Sequence, residues 1–340
     1  MFPLLTIDLK KVEQNTRVVV DACSQQGIEV IGVTKGCLGN PDIARAMLKG
    51  GVAGFADSRV RNLQKLRTLN APRLMLLRQP MVEERSKVVE IADISFVTEY
   101  AAALNLSEAA LALGRTHRVI LVVETGDLRE GVPLTELEKA VGKIIKLKGL
   151  KLEGLATNIA CFEETSSASE SLELLAAVVQ GIREKFALDL KVVSGGNSST
   201  WKAVESGEVP DQINQLRIGE AILLGQETVS FEPLPGACQN AFLLSAEVLE
   251  IAEKTLNKNL KGLSRKQAVV ALGKQDIGGG QLKLLLKGAE ILRLSSDHLV
   301  MDLSRVSKDL EVGEKVTFVP DYFALLGAMT SPYVYKNFLD

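Results

Sequence analysis

Eight times between residues 28 and 217 the chain returns to a short run rich in Val, Ile and Leu, and a longer stretch of helical spacing usually follows. The runs begin near Ile28 (IEVIGV), Val52 (VAGFA), Arg73 (RLMLL), Ile94 (ISFV), Arg118 (RVILVVE), Leu152 (LEGLAT), Leu190 (LKVVS) and Gln212 (QINQLR). Near-continuous apolar runs mark strands covered on both faces, as in a parallel sheet. Between them, sets such as Ile43, Ala44, Met47, Leu48 and Leu137, Val141, Ile144, Ile145 recur at i, i+3, i+4, the spacing of a helix with one face on a sheet. Eight strand–helix units over about 200 residues predict an α/β chain built on a closed (β/α)8 TIM barrel rather than an open, doubly wound sheet.

The flanks do not fit that barrel. A strand is expected over Leu4 to Asp8, followed by a helix with Leu9, Val12, Val19, Val20 and Cys23 on one face, which Gly27 stops. From Ala241 onward the chain reads as strands again: AFLLSAEVLEIAE, QAVVALGK, LVMDL and KVTFV. The expected division is a barrel over 9–228 and a mainly-β domain over 229–340, joined by the N-terminal strand of residues 1–8. The run Gly278-Gly279-Gly280 is expected to be a hairpin tip, because no helical start follows it.

Composition removes several function classes. Lys plus Arg number 40 against 42 Asp plus Glu, a net charge of −2 that offers no basic surface for nucleic acid. No apolar stretch approaches the roughly 20 residues needed to span a bilayer, and Asp8 interrupts the only apolar run near the start, so no membrane partner and a cytoplasmic location are expected. The cysteines Cys23, Cys37, Cys161 and Cys238 form no CxxC pair, and the only histidines are His117 and His298. Neither a disulfide framework nor a metal site is expected.

In such barrels the reactive groups collect at the C-terminal strand ends. Those ends are unusually polar here: Val33-Thr34-Lys35-Gly36, Ala56-Asp57-Ser58-Arg59, Leu77-Arg78, Glu124 through Gly131, Thr157-Asn158, Ser194 through Ser199, and Leu216 through Glu220. Lys35 stands where a strand end partly desolvates an amine, which favours the neutral form needed for a Schiff base. Alone it reads more readily as a solvated strand-end lysine. The SGGNSS and RIGE segments add hydroxyls and free backbone N–H groups where barrels commonly hold a phosphate. A phosphate cradle across the mouth from a lysine is what a pyridoxal phosphate enzyme needs.

VTKG, VETGDLREGV, SGGNSS, QLRIGEAILLG and SSDHLVMDL, in this order over nearly the whole chain, resemble the barrel-type (fold type III) amino-acid racemases, that is the alanine racemase superfamily and in particular its ornithine racemase-like members. The resemblance implies pyridoxal 5'-phosphate as cofactor, a free amino acid as substrate, and a homodimer whose active sites are shared between subunits. It implies that Lys35 carries the cofactor and acts as one acid–base group. Arg129 would meet the cofactor's phenolic oxygen, Ser198 with Gly219 and Glu220 its phosphate, and Arg217 its pyridine nitrogen. Tyr333 is matched to a phosphate-contacting tyrosine, with Tyr322 as its rival, and Asn197 falls inside the phosphate segment.

Departures from the alanine enzymes are as informative. Asn158 and Ser194 stand where those enzymes have histidines, and Val122 where many have a lysine that becomes carbamylated. No tyrosine aligns with their second base. Inversion at Cα still requires a proton donor opposite Lys35, and His298, Asp297, Cys161 and Lys274 are the candidates. Charged residues beyond the needs of an alanine site, namely Asp57, Arg78, Asp127, Glu130 and Asp297, point to a basic amino acid such as ornithine. A decarboxylase of the same fold is the alternative enzyme. It is disfavoured by Arg217 in place of an acid and by the lack of that group's cysteine–aspartate signature. A non-catalytic pyridoxal phosphate carrier is disfavoured by the extra C-terminal strands.

Overall fold

The computed structural model describes residues 1–159, 168–255 and 264–340. The chain divides into two compact units, one of Val12–Lys35 with Gly39–Ala237, the other of Met1–Lys11, Gly36–Leu38 and Cys238–Asp340. Strand β1 is Leu4–Asp8. The barrel strands are β2 (Glu29–Val33), β3 (Phe55–Asp57), β4 (Leu74–Leu76), β5 (Ile94–Val97), β6 (His117–Val122), β7 (Leu150–Thr157), β8 (Val192–Gly195) and β9 (Gln215–Ile218). The C-terminal strands are β10 (Phe242–Thr255), β11 (Ser264–Val270), β12 (Leu282–Leu284), β13 (Glu290–Leu294), β14 (Leu299–Asp302), β15 (Lys315–Pro320) and β16 (Tyr335–Leu339).

Strands β2 to β9 pair in sequence order and close into a barrel, the last seam aligning Ile31 with Arg217 and Gly32 with Ile218. Side chains alternate across each strand, and Ile31, Val33, Ala56, Met75, Ile94, Phe96, Ile120, Val122, Ala156 and Val192 form one buried cluster. The barrel is therefore a packed core, and chemistry is confined to its rim.

Helices cover the strands outside: α1 (Leu9–Ser24), α2 (Pro41–Lys49), α3 (Val60–Leu66), α4 (Arg85–Ile91), α5 (Tyr100–Ala112), α6 (Leu134–Ile144), α7 (Ala168–Phe186), α8 (Trp201–Ser206) and α9 (Glu220–Leu224). Their starts are local decisions. In α2 the Asn40 side chain accepts from the N–H groups of Asp42 and Ile43, with Pro41 in the first turn where its missing N–H costs nothing. Helix α1 buries Val12, Val19 and Cys23 as expected, and also Asn15 and Thr16. Both polar groups are satisfied, Asn15 donating to the Ile222 carbonyl at 3.0 Å and Thr16 to that of Val12 at 2.7 Å.

The second unit is an eight-stranded sheet in the order β12-β15-β10-β11-β14-β13, with β1 antiparallel to β10 and parallel to β16. The N-terminal strand thus joins the C-terminal sheet. Among the described residues, two short α-helices complete this unit, α10 (Lys274–Ile277) and α11 (Tyr322–Thr330). The triple glycine is not a hairpin tip. Gly278, at φ +61°, ends α10, and a Cβ on Gly280 would lie 1.9 Å from the Ala324 nitrogen of α11. The glycines stop one helix and let another pack against the turn.

His117 opens β6 and is buried, its Nε2 2.8 Å from the Ser95 hydroxyl. Burial, reinforced by the neighbouring Arg118 charge, pulls its pKa down from 6.5 to about 4. In that window the unfolded chain takes up a proton that the folded protein refuses, so stability is full above pH ~6.5 and falls as pH drops toward 4. The whole effect is ~3 kcal/mol. Urea unfolding at pH 7 and 4.5 should show a larger loss for the unaltered protein than for His117→Gln. Equal losses would remove His117 as the cause.

Candidate active site

Alternation on β2 carries the chain from Ile31 and Val33 in the barrel core to Lys35, immediately beyond the strand. Thr34 is fully buried, but Lys35 is exposed, which corrects the expectation of a partly desolvated amine. Asp57 is corrected more strongly. It is fully buried at the end of β3, with Oδ2 accepting from the Thr34 hydroxyl at 2.7 Å and Oδ1 from the Arg59 N–H at 2.9 Å and Asn62 Nδ2 at 3.1 Å. Burial raises its pKa, against the pull of these donors. Such a carboxylate ties the first two strand ends together and has no face left for a substrate ammonium.

Arg217 lies at the end of β9, 6% exposed. Its Nη1 donates to the Ser194 hydroxyl at 2.5 Å and the Ser194 carbonyl at 3.3 Å, and its Nη2 donates to the Thr157 carbonyl at 2.7 Å. The guanidinium carbon stands 5.0 Å from the centre of the Phe96 ring, close enough for a cation–π contact. Three strand ends and the top of the core therefore hold one cation in place. Thr157 is itself paired with Thr125 through their hydroxyls. Phe96 was not foreseen, since nothing in its run distinguishes it from core packing. Thr157 was visible only as a strand end.

The segment after β8 folds back on itself. Asn197 Oδ1 accepts from the N–H and hydroxyl of Ser199, both at 2.8 Å, and its Nδ2 donates to the Ile159 carbonyl at 3.1 Å. Ser198, 4% exposed, accepts from the Ala221 N–H at 3.2 Å, which links this turn to the one after β9. Gly196 has φ +107°, and a Cβ there would meet the Thr200 hydroxyl at 2.8 Å, so only glycine makes the turn without strain. Ser194, Asn197, Ser198 and Arg217 are brought together, with Gly219 and Glu220 following directly in the chain.

The loop after β6 supplies Arg129. Its Nη2 contacts Glu130 at 2.6 Å and its Nε lies 3.7 Å from Asp127 Oδ2. Asp127 Oδ2 also accepts from Asn158 Nδ2 at 2.9 Å, and Asn158 Oδ1 accepts from Asn197 Nδ2 at 3.2 Å. Asn158 thus connects the β6, β7 and β8 ends. Arg78, beyond β4, is half-buried and makes no hydrogen bond or ion pair among the described residues. Its neighbour Gln79 is committed to the next loop, accepting from the Thr98 N–H, the Thr98 hydroxyl and the Glu99 N–H.

The remaining candidates belong to the β unit, apart from Cys161, which lies outside the described residues. His298 is exposed beside the turn between β13 and β14, with Ser295 donating its N–H to the His298 carbonyl at 2.8 Å. Asp297 is occupied within that turn. It accepts from Gln275 Nε2 and from the Ser296 hydroxyl, each at 2.8 Å, a structural task in place of the expected substrate contact. Lys274 and Tyr333 are both exposed. Among the described residues no group of three or more His, Cys, Asp or Glu could hold a metal ion, and no helix is long and apolar enough to cross a membrane.

Comparison with known proteins finds relatives over the full length of the chain. A lysine racemase of Thermotoga maritima is 37% identical, the match covering 99% of this chain and 98% of that protein. An ornithine racemase of Acetoanaerobium sticklandii is 36% identical, with 100% of both chains covered. The crystal structure of alanine racemase from Streptomyces lavendulae superimposes with a TM-score of 0.77 at 19% identity, over 99% of this chain and 97% of that one, and shares the fold. The family described as alanine racemase, N-terminal domain, matches residues 7–227, and this chain belongs to it.

Proposed function

We propose that this protein is a pyridoxal 5'-phosphate-dependent racemase that interconverts the L and D forms of a free basic amino acid, ornithine or lysine. What carries the proposal is full-length similarity to a lysine and an ornithine racemase, combined with a lysine at the first barrel strand end and a buried arginine on the rim. The donor set fits the cofactor. An exposed amine at Lys35 can bond its aldehyde, the half-exposed Arg129 suits an anionic phenolic oxygen, and the Ser198 hydroxyl with its flanking backbone suits a phosphate. When bound, the cofactor supplies an electron sink that acidifies the substrate's α-carbon.

The chain's own groups set the outcome. Arg217 would face the pyridine nitrogen, and a guanidinium with a pKa above about 12 has no proton to give it. The sink is thereby weakened, which suits brief removal of one proton and its return rather than deeper bond rearrangement. An acid there, as in the decarboxylases, would do the reverse. Lys35 would take or return the α-proton on one face. The opposite face needs a second group, and His298 is assigned to it, supplied by a second copy of the chain in a homodimer with shared sites. Asn158, Ser194 and Asn197 support Arg217 and the phosphate turn. Arg78 is the mouth cation left for a substrate carboxylate. A cytoplasmic location belongs to the same proposal.

Incubation with L-ornithine or L-lysine in deuterium oxide should yield the D isomer carrying deuterium at Cα. No deuteration and no D isomer from any amino acid would overturn the proposal. Lys35→Ala should abolish the cofactor's visible absorption near roughly 420 nm and slow racemisation by about 10³-fold. His298→Asn should still exchange the α-proton of one isomer while losing inversion by about 10²-fold. If Lys274→Met does this and His298→Asn does not, the second group is Lys274.

A further inference from the structure

The loop leaving β6 returns to its own foot. Glu124 N–H donates to the Val132 carbonyl at 3.0 Å and Val132 N–H to the Val122 carbonyl at 2.8 Å. Closure requires glycine at 131, where φ is +139° and a Cβ would meet the Glu124 nitrogen at 2.7 Å. At the tip Leu128 adopts φ +52° and is 73% exposed, a conformation that L residues with bulky side chains rarely accept without compensation. Its effect is to reverse the chain. The Asp127 side chain is left 2% exposed, whereas that of Arg129, one residue beyond the reversal, is 35% exposed with its Nε turned back toward Asp127.

We propose that Asp127 is a positioning residue that ties the two ends of the cofactor site into one line of side chains. The line runs from Arg129 through Asp127, Asn158 and Asn197 to Ser199, with contacts of 3.7, 2.9, 3.2 and 2.8 Å. It starts at the group assigned to the phenolic oxygen and ends beside Ser198, assigned to the phosphate, and in this it rests on the function proposed above. Glu130 also contacts Arg129, but both of those side chains are more than a third exposed, where screening leaves an ion pair little weight. Buried Asp127, held by a hydrogen bond from Asn158, is the firmer anchor.

The test is titration of the apoprotein with pyridoxal phosphate, followed by absorbance and by circular dichroism of the bound cofactor. Asp127→Asn keeps an acceptor for Asn158 and removes the charge that holds Arg129. It should weaken cofactor binding about tenfold, or ~1.4 kcal/mol. In an Arg129→Gln background the same substitution should change binding less than twofold, since no guanidinium remains to be positioned. An equal loss in both backgrounds would mean a merely structural role and would overturn the proposal, as would no loss in either. Should Asp127→Asn fail to fold, Asn158→Ala cuts the line on its other side and must show the same dependence on Arg129. If the unaltered protein binds no pyridoxal phosphate, the functional proposal falls as well. If it binds normally and Asp127→Asn matches it, only the positioning role is lost.

Discussion

A single guanidinium buried at the top of a closed barrel governs the rest of this protein. Removing Arg217 from water carries an effective penalty of several kcal/mol, and two carbonyls, one hydroxyl and an aromatic face help to offset it. Those partners come from β5, β7 and β8, strands that lie beside and across from β9 in the closed barrel. Closure of the barrel and placement of the cation are thus one event. In the function proposed above, that cation would set the electron demand the rim can support.

Much of this was legible in the residues. Most of the eight barrel strands declare themselves because they are covered on both faces and read as near-continuous apolar runs, β9 with its QLRI being the exception. Strands β12, β13 and β16 escaped, since their residues are only partly covered and carry charges such as Lys283, Arg293 and Lys336. Helix α11 escaped for the opposite reason: YFALLGAMT is apolar nearly all round and shows no period. Gly278 and Gly280 were read as a hairpin tip, whereas Gly278 supplies the positive φ that ends α10 and Gly280 lets α11 pack against the turn.

The rim was legible as a set of polar strand ends, but not in its internal division of labour. A sequence places Asp57 and Asp127 alike at strand ends. Only the structure shows the first consumed by Thr34, Asn62 and the Arg59 backbone, and the second turned toward Asn158 and Arg129. Asp297 follows the first pattern, its oxygens engaged by Gln275 and Ser296. Carboxylates distribute between scaffolding and positioning according to donors both near in the chain, such as Arg59 and Asn62, and remote, such as Thr34, Gln275 and Asn158, and no short motif records the remote ones.

Strand β1 lies between β10 and β16, with Leu4 opposite both Ser245 and Tyr335. During synthesis β1 leaves the ribosome before either neighbour, and must therefore wait with both edges bare until β10 emerges and with one edge bare until β16 does. The intervening barrel draws all its pairings, the β9–β2 seam included, from residues 29–218 and can form in the meantime, as domains commonly do. Closing the β sheet around β1 then depends on pairings of long sequence separation, and the exposed edge is the place where a nascent chain would need protection from its neighbours.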